Sequence, residues 1–382
     1  MALRNSQKQI SLSAVKFLFM SIISAVISFG FAPSAQAQQT SDESWSKTTE
    51  LAVGNANPSR TTESHTKSGN RTVDKTRVEV IGVNGQYRPD SETETETVRV
   101  NDTTTRTVVR TYKWDGNGRR TLVEVSEEKA QSTSSGDGQA VRTTSRSDLN
   151  GNLQVVKREE TDTKKTSPDA QETKTKVYTG DGNGGLTMAL QTNEVQKKGA
   201  GDTTEVKKTT FVPDGNGNWV VGQVKEKSIK PDGKNRSTDE KISQPDSAGR
   251  LSELSRTHSE ETENAAGDKT STVDTYSRDV PGASEGSPYR SQRVTTVQKK
   301  DSDGETIEQQ VEQPSWGNPS DGPKVTARTK YTVKYAAPGS DTTKTTQVRD
   351  ANGNFNVVSV ETRKSDKASP PQVPNPSYEK PQ

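Results

Sequence analysis

The feature of this sequence that most restricts its fold is a four-residue turn signal that returns at almost constant spacing. In its clearest copies the signal reads Asp-x-Asn-Gly, and six consecutive steps between copies are 33 residues long, except for one of 32. A fixed period of this length is typical of repeat architectures, in which each period is one supersecondary unit. The copies begin at Gly82, Asp115, Asp148, Asp181, Asp214, Asp246, a degenerate Asp279 and, further on, Asp350.

The chemistry of this signal predicts a tight hairpin. The Asp carboxylate can accept backbone amides, and the Gly supplies the left-handed residue of a type I turn followed by a G1 bulge. This turn fixes the strand register, so that residue −1, counted from the Asp, lies opposite +5, and −3 lies opposite +7. Apolar pairs recur at these positions, as with Tyr112 and Leu122, Tyr178 and Met188, and Phe211 and Val221.

A second, weaker set of Gly, Pro and Asp turns falls about half a period after the first. The segments between the turns are roughly 12 residues long, rich in Val and Thr, and alternating in places such as 92–100, which favours strands over helices. We therefore predict an all-β antiparallel meander of about eight to nine 33-residue hairpin repeats, in an elongated or curled sheet. One alternative is a closed propeller or barrel built from the same hairpins, and a second alternative is a largely disordered chain.

Composition limits how much core such a sheet can have. Only 25% of the 382 residues are hydrophobic, and the chain has no Cys. Disulfides and thiolate chemistry are therefore excluded, and we expect a thin core beside the row of Asp turns. Disorder is the main rival at this composition, but a periodic turn signal argues against it.

The chain divides into four predicted segments. Residues 1–37 are interpreted as a cleaved signal peptide, with Arg4 and Lys8 before an apolar stretch and Ala35-Gln-Ala37 as the cleavage site. Residues 38–70 are predicted to be a polar linker, 71–366 the hairpin repeat domain and 367–382 a Pro-rich tail, with disordered termini. Removing the leader with its three basic residues turns the formal charge of +2 slightly negative. Nucleic acid is therefore not an expected partner.

The sequence shows few features of a catalytic site or a metal site. His65 and His258 are the only imidazoles, they lie in separate polar segments, and we expect both to be solvent-exposed. Without Cys, no metal site and no cofactor are predicted. Calcium binding by the Asp-x-Asn-Gly turns is left as an open alternative, although one carboxylate among neutral amides is a poor calcium site. No nucleophile signature stands out, so we expect no enzyme, and a hydrolase is only a distant alternative.

The turn with the apolar residue after it resembles YD-type repeats of secreted wall and toxin proteins. The resemblance covers five or six residues of each unit. The 33-residue period and the lack of a regular Tyr-Asp pair depart from that pattern, so no function is taken from it.

Aromatic residues near the turns give one functional hypothesis. If they line one side of the sheet, they form a strip that could hold a glycan or a cell-surface protein by stacking and burial. The other interpretation is that they are the core of each hairpin. The predicted strip comprises Tyr112, Trp114, Tyr178, Phe211, Trp219 and Tyr276.

Together these features predict a structural or adhesive β-repeat protein that acts as a spacer or binding scaffold. We expect it to be secreted, periplasmic or at the cell surface, with no membrane span after signal cleavage. The alternative is a periplasmic, propeller-like ligand-binding module.

Overall fold

The computed structural model describes residues 43–53, 58–182, 184–278, 288–315, 322–336 and 339–365. These residues form twenty strands and one short 3₁₀ turn, Ala200–Asp202. The predicted signal peptide, the Asp279 turn and the predicted tail lie outside them. The strands are β1 (Glu43–Val53), β2 (Ser59–Ser68), β3 (Arg71–Ile81), β4 (Tyr87–Arg99), β5 (Thr104–Trp114), β6 (Arg120–Ser132), β7 (Gly138–Ser147), β8 (Leu153–Ser167), β9 (Ala170–Gly180), β10 (Leu186–Lys198), β11 (Thr204–Pro213), β12 (Trp219–Asp232), β13 (Asn235–Pro245), β14 (Leu251–Glu263), β15 (Lys269–Ser277), β16 (Tyr289–Lys300), β17 (Gly304–Gln313), β18 (Lys324–Ala336), β19 (Gly339–Arg349) and β20 (Phe355–Ser365).

All twenty strands belong to one antiparallel sheet in which chain neighbours are also sheet neighbours. The predicted all-β meander is therefore confirmed. The first and last strands also pair, through Thr49–Val53 and Glu361–Ser365, so the sheet is curled rather than straight. This is the shortest paired stretch between any two neighbouring strands. The propeller alternative is wrong, because the described strands form one continuous sheet and not separate blades.

The Asp turns have the predicted geometry, and the turn at Asp214 shows it well. The amide of Asp214 donates to the Asn218 carbonyl at 2.8 Å, and the amide of Gly217 donates to the Asp214 carbonyl at 3.1 Å. Gly217 has a φ of +82°, as a G1 bulge requires. The carboxylate Oδ1 of Asp214 accepts the amides of Asn216 and Asn218, both at 2.8 Å. Hydrogen bonds from the Asn218 side chain and backbone hold the pKa of Asp214 below its usual value.

The predicted register is confirmed at the described Asp turns. Tyr112 lies opposite Leu122, Tyr178 opposite Met188 and Phe211 opposite Val221. The less apolar turns keep the same register, with Ser145 opposite Val155 and Gln347 opposite Val357. The turn therefore sets the pairing whether or not the opposed side chains are apolar.

A feature that we did not predict is a bulge shortly after each Asp turn. In the hairpins of the described turns from Gly82 to Asp246, and of Asp350, one extra residue stands eight positions after the first turn residue. Two less regular hairpins, β15–β16 and β17–β18, have a bulge as well. The extra residues are Asp90, Val123, Val156, Ala189, Gly222, Leu254, Ser291, Thr326 and Val358.

The bulges mark the place where neighbouring hairpins separate. In β12, Trp219–Val221 pairs with β11 only, Gly222 is the extra residue, and pairing with β13 begins at Val224. In β6, likewise, pairing with β7 begins at Glu124, directly after the bulge. Because a bulge bends its strand and increases the local twist, each hairpin leaves the sheet as a two-stranded tip. The Asp turns thus lie at the ends of a row of separate tips.

The structure differs from prediction in the segment 38–70. This segment was predicted to be a linker, but β1 and β2 lie within it and form a hairpin of the sheet. β2 pairs with β3 along its whole length, from Ser59 opposite Val80 to Ser68 opposite Arg71. The segment has the same Thr, Ser, Glu and Lys composition as the other strands, so composition could not separate a linker from a strand.

The core is as thin as predicted but lies elsewhere. Of the described residues, the buried apolar ones are Val108, Val177, Val224, Ile307 and Val333, and only Val177, four residues before Asp181, lies close to an Asp turn. Beside the turns, apolar side chains are exposed, with 45% exposure at Leu153, 53% at Leu251 and 55% at Val357. The tips protrude from the sheet, so no second layer covers these side chains. Backbone ladders and cross-strand pairs, rather than burial, hold most of the sheet together.

The requirement for a left-handed Gly at the end of each turn can be tested by substituting Gly217. Gly217→Ala should destabilise the β11–β12 hairpin by about 1–2 kcal/mol, because an L side chain is strained at positive φ. A Cβ at this position would touch nothing within 4 Å, so the expected effect comes from the backbone alone. Amide hydrogen exchange at Val212 and Val220 should become about tenfold faster or more.

Gly215 provides the matched control in the same turn. It also has open space around its Cβ position, and its φ is not positive. Gly215→Ala should leave exchange in this hairpin within about threefold of the parent protein. Equal effects of the two substitutions would contradict the assignment of a strained left-handed position to Gly217.

Candidate functional site

The six aromatic residues predicted to form a strip lie on the same face of the sheet. Directly opposed residues share a face, and residues alternate along each strand except at bulges. Directly opposed residues connect Tyr112 to Tyr178 across β5 to β9, with Arg158 as the last link, so both rings lie on one face. The pairing of β9 to β12 places Phe211 and Trp219 on this face as well. The pairing of β12 to β15 places Tyr276 there too. Trp114 is two residues from Tyr112 and shares its face. We call this side of the sheet the aromatic face.

These rings also lie at one end of the sheet. Each is one to five residues from its Asp turn, because the rings occupy positions −3, −1 or +5. All six are half-buried. Tyr87 and Phe355 stand at +5 of their turns on the same face and extend the row. The predicted strip did not include these two, although their position in the repeat was a usable signal. We call the eight rings the aromatic band.

Arginine side chains cover five rings of the aromatic band. The guanidinium carbon of Arg120 is 3.6 Å from the ring centre of Tyr112, a cation–π distance. The same arrangement recurs along the band on other strands. The remaining pairs are Arg60 with Tyr87 at 4.1 Å, Arg77 with Trp114 at 5.4 Å, Arg256 with Tyr276 at 5.1 Å and Arg328 with Phe355 at 4.1 Å.

Glutamates on the aromatic face hold several of these arginines. Glu79 lies 4.0 Å from Arg60 and 3.6 Å from Arg77, measured between charged atoms. Glu92 forms an ion pair with Arg120, and Glu253 is 3.8 Å from Arg256. The side chains of these four arginines are still 36–50% exposed, so solvent reaches the guanidinium groups. The band therefore presents rings, cations and anions together.

A row of opposed charges crosses the same face further from the turns. Asp239, His258, Asp274, Arg293 and Glu312 stand directly opposite one another on β13 to β17. Arg293 binds Asp274 through two contacts of 2.7 Å, and this guanidinium lowers the pKa of the buried Asp274. Charge alternation stabilises neighbouring strands where like charges would repel.

Both histidines are paired, which differs from the solvent-exposed state that we predicted. Nδ1 of His65 is 2.6 Å from Asp74 Oδ1, and Nδ1 of His258 is 2.7 Å from Asp239 Oδ1. Nε2 of His258 also lies 3.3 Å from Glu260. The hydrogen bond with Asp239 is the main cause that raises the pKa of His258. The sequence could not show these pairs because the partners come from neighbouring strands.

The aromatic face also contains a cavity of about 540 Å³ over β10 to β14. Its wall includes Val195, Lys207, Glu226, Asp239 and Lys241. This size falls within the range of small-molecule sites. The charged heads of Lys207 and Glu226 are 3.0 Å apart, so part of its wall is internally neutralised.

The described residues offer no group of three or more His, Asp and Glu side chains that could hold a metal ion. In the Asp turns, Oδ1 is occupied by backbone amides, as at Asp148 with Asn150 and Asn152 at 2.8 Å. This geometry favours the interpretation of these carboxylates as turn residues rather than calcium ligands. The part of the chain that the structure describes has no helix with the length and apolarity needed to cross a membrane.

Comparison with known proteins does not assign the chain to a family. No family model matches the chain, and no curated protein matches it. Among solved structures, the chain is similar to the FrpB iron transporter from Neisseria meningitidis (F3-3 variant), with a TM-score of 0.37 and 8% identity. The similarity covers 85% of this chain and 74% of that chain. At this level it carries no argument about function.

The His258 pair predicts how stability changes with pH. A pKa raised in the folded state means that the stabilisation is complete below the unfolded value of about 6.5 and is lost as pH rises through the folded value. The protein should therefore have a lower urea midpoint at pH 8.5 than at pH 5.5. His258→Gln should reduce this difference, because it removes the titrating group that faces Asp239, Glu260 and Asp274.

His65→Gln is the control, since it removes the other imidazole and leaves the row around His258 intact. It should leave in place the part of the pH-dependent change in the urea midpoint that comes from His258. A His258→Gln variant with the full change of the parent protein would contradict the expected role of this pair.

Proposed function

We propose that the chain is a non-catalytic binding scaffold of the cell envelope or its exterior, with a structural or adhesive role, and that the aromatic band is its binding surface. The observation that carries this proposal is the placement of eight half-buried rings on one face at one end of the sheet. Half-exposed aromatic rings in a row suit stacking against a partner.

The position of the exposed apolar side chains supports a surface role for the tips. Most of the exposed large apolar residues lie within the tips, either in the Asp turns or in the first four residues of the following strand. Several of them, among them Leu153, Leu186, Leu251 and Val357, lie on the aromatic face, and exposed apolar side chains beside the rings of a protein with so little core favour a binding site there. The leader predicted from residues 1–37 supports an exported location in this proposal.

The cavity on the aromatic face favours a second candidate, a module that binds a small ligand. A seated ligand would shield the amines of Lys207 and Lys241 in the cavity wall. Slower acetylation of these two lysines in the presence of a candidate compound would favour this function over a surface scaffold.

Trp219→Ala tests the aromatic band directly. If the ring is a binding surface, the variant should lose about threefold to tenfold in retention on immobilised polysaccharides, while its Tm falls by only a few degrees. The panel should contain dextran, cellulose and polygalacturonic acid, so that neutral and acidic polymers are both present.

Val220→Ala is the matched control on the same strand. Val220 points to the opposite face and is 43% exposed, so the substitution removes apolar surface without touching the aromatic band. It should leave retention unchanged. A large fall in Tm for Trp219→Ala, with no polymer retained by the parent protein, would instead assign the ring to a hairpin core and contradict the proposed function.

A further inference from the structure

We infer that the partner of the aromatic band is a carboxylated polysaccharide, with Tyr178, Phe211 and Trp219 stacking on sugar faces and the arginines over the other five rings binding the carboxylates. This inference rests on the proposed function and names the ligand class of the same surface. Five ring and guanidinium pairs on the aromatic face carry it, at distances from 3.6 to 5.4 Å.

The geometry of each pair leaves room for a ligand carboxylate. The N–H groups of a guanidinium lie in its own plane and point towards its edges, so a guanidinium over a ring still presents a fork that matches a carboxylate. The glutamates beside these arginines make only single contacts longer than a hydrogen bond, at 3.6 Å for Arg77 with Glu79 and 3.8 Å for Arg256 with Glu253. The side chains of Arg77 and Arg256 are 42% and 50% exposed. A ligand carboxylate would therefore reach exposed N–H groups without displacing the glutamates.

The repeat of the band suits a polymer rather than a single small anion. The five pairs lie on β2 to β6, on β14 and β15, and on β18 to β20, and neighbouring strands are about 4.8 Å apart. From Tyr87 on β4 to Phe355 on β20 the band extends for roughly 75 Å of the curled sheet. A chain molecule with regularly spaced carboxylates can contact several of these sites at once.

Charge complementarity favours a carboxylated sugar polymer over a nucleic acid. The arginines are interspersed with glutamates, and the turn carboxylates of Asp115, Asp148, Asp181 and Asp214 stand one hairpin apart beside the band. A phosphate at every nucleotide would meet these anions, and nucleic-acid surfaces are usually strongly basic. A carboxylated polysaccharide offers apolar C–H faces to the rings, and its carboxylates match the forked guanidinium groups.

The experiment compares polygalacturonic acid with its methyl ester, which has the same backbone without the charge. The parent protein, residues 38–382, should bind the acid form at least about tenfold more tightly than the ester, and binding should weaken with salt. Single-stranded DNA of similar length serves as a polyanion without sugar carboxylates and should bind more weakly than the acid form.

Two arginine variants test the sites themselves. Arg256→Gln and Arg328→Gln each remove one guanidinium from a ring, on β14 and β18, and each should weaken binding of the acid form about threefold to tenfold. Lys230→Gln is the matched control, because it removes one exposed positive charge from the same face at the far end of β12. It should change the affinity by less than about twofold.

The outcomes separate the inference from the proposed function. Equal binding of the acid and ester forms would overturn the inference and leave a glycan-binding scaffold standing. Tighter binding of DNA than of polygalacturonic acid would overturn the inference in favour of a nucleic-acid partner. A preference for the acid form that Lys230→Gln lowers as much as Arg256→Gln would assign binding to general charge and overturn the role of the band. Retention of dextran or cellulose alone would support the scaffold and contradict the ligand class.

Discussion

The fold depends on one local interaction, the hydrogen bonding of an Asp carboxylate to the backbone of its own turn. At Asp115 the Oδ1 atom accepts the amides of Asn117 and Arg119, both at 2.9 Å, and the following Gly118 takes the left-handed conformation. With so little apolar surface to bury, the strands have few other means of choosing a register. A turn that fixes the register of the residues beside it supplies this choice once in every hairpin. The remaining ladder then follows from backbone pairing, even where both faces are polar.

Because a bulge follows each turn, each repeat of the sequence forms a similar exposed tip. It lies where the second strand of the hairpin separates from the next hairpin, as at Gly222 before Val224. Beyond this point the tip is only two strands wide. Rings at −1 and +5, such as Trp114 and Trp219, therefore have a partner strand on one side only, whereas a ring at −3, such as Phe211, has a strand on each side. The irregularity that bends the strands is thus also the reason why the rings nearest the turns are half-buried rather than enclosed.

Sequence reasoning succeeded where the physics was local and failed where it depended on neighbouring strands. The register of Phe211 and Val221 followed from the turn alone, and the shared face of the predicted rings followed from that register. The bulges also had a signal, because adjacent small or apolar residues, such as Val155 with Val156, break the strict alternation of a strand. The arginines over the rings could not be derived, since Arg256 and Tyr276 meet only through the pairing of β14 with β15. The strands in 43–68 were missed because composition does not distinguish a polar strand from a polar linker.

The weakness of each single arginine site is what makes the aromatic band suited to a polymer. The arginines are 36–50% exposed, and a contact between one such guanidinium and a ligand carboxylate contributes only about 0–1 kcal/mol. A single contact would therefore gain little, and a small anion would bind poorly. Because sites of this kind recur along the band, a polymer that reaches several of them gains through the high effective concentration of its remaining carboxylates. Affinity at such a surface therefore grows with the length of the ligand.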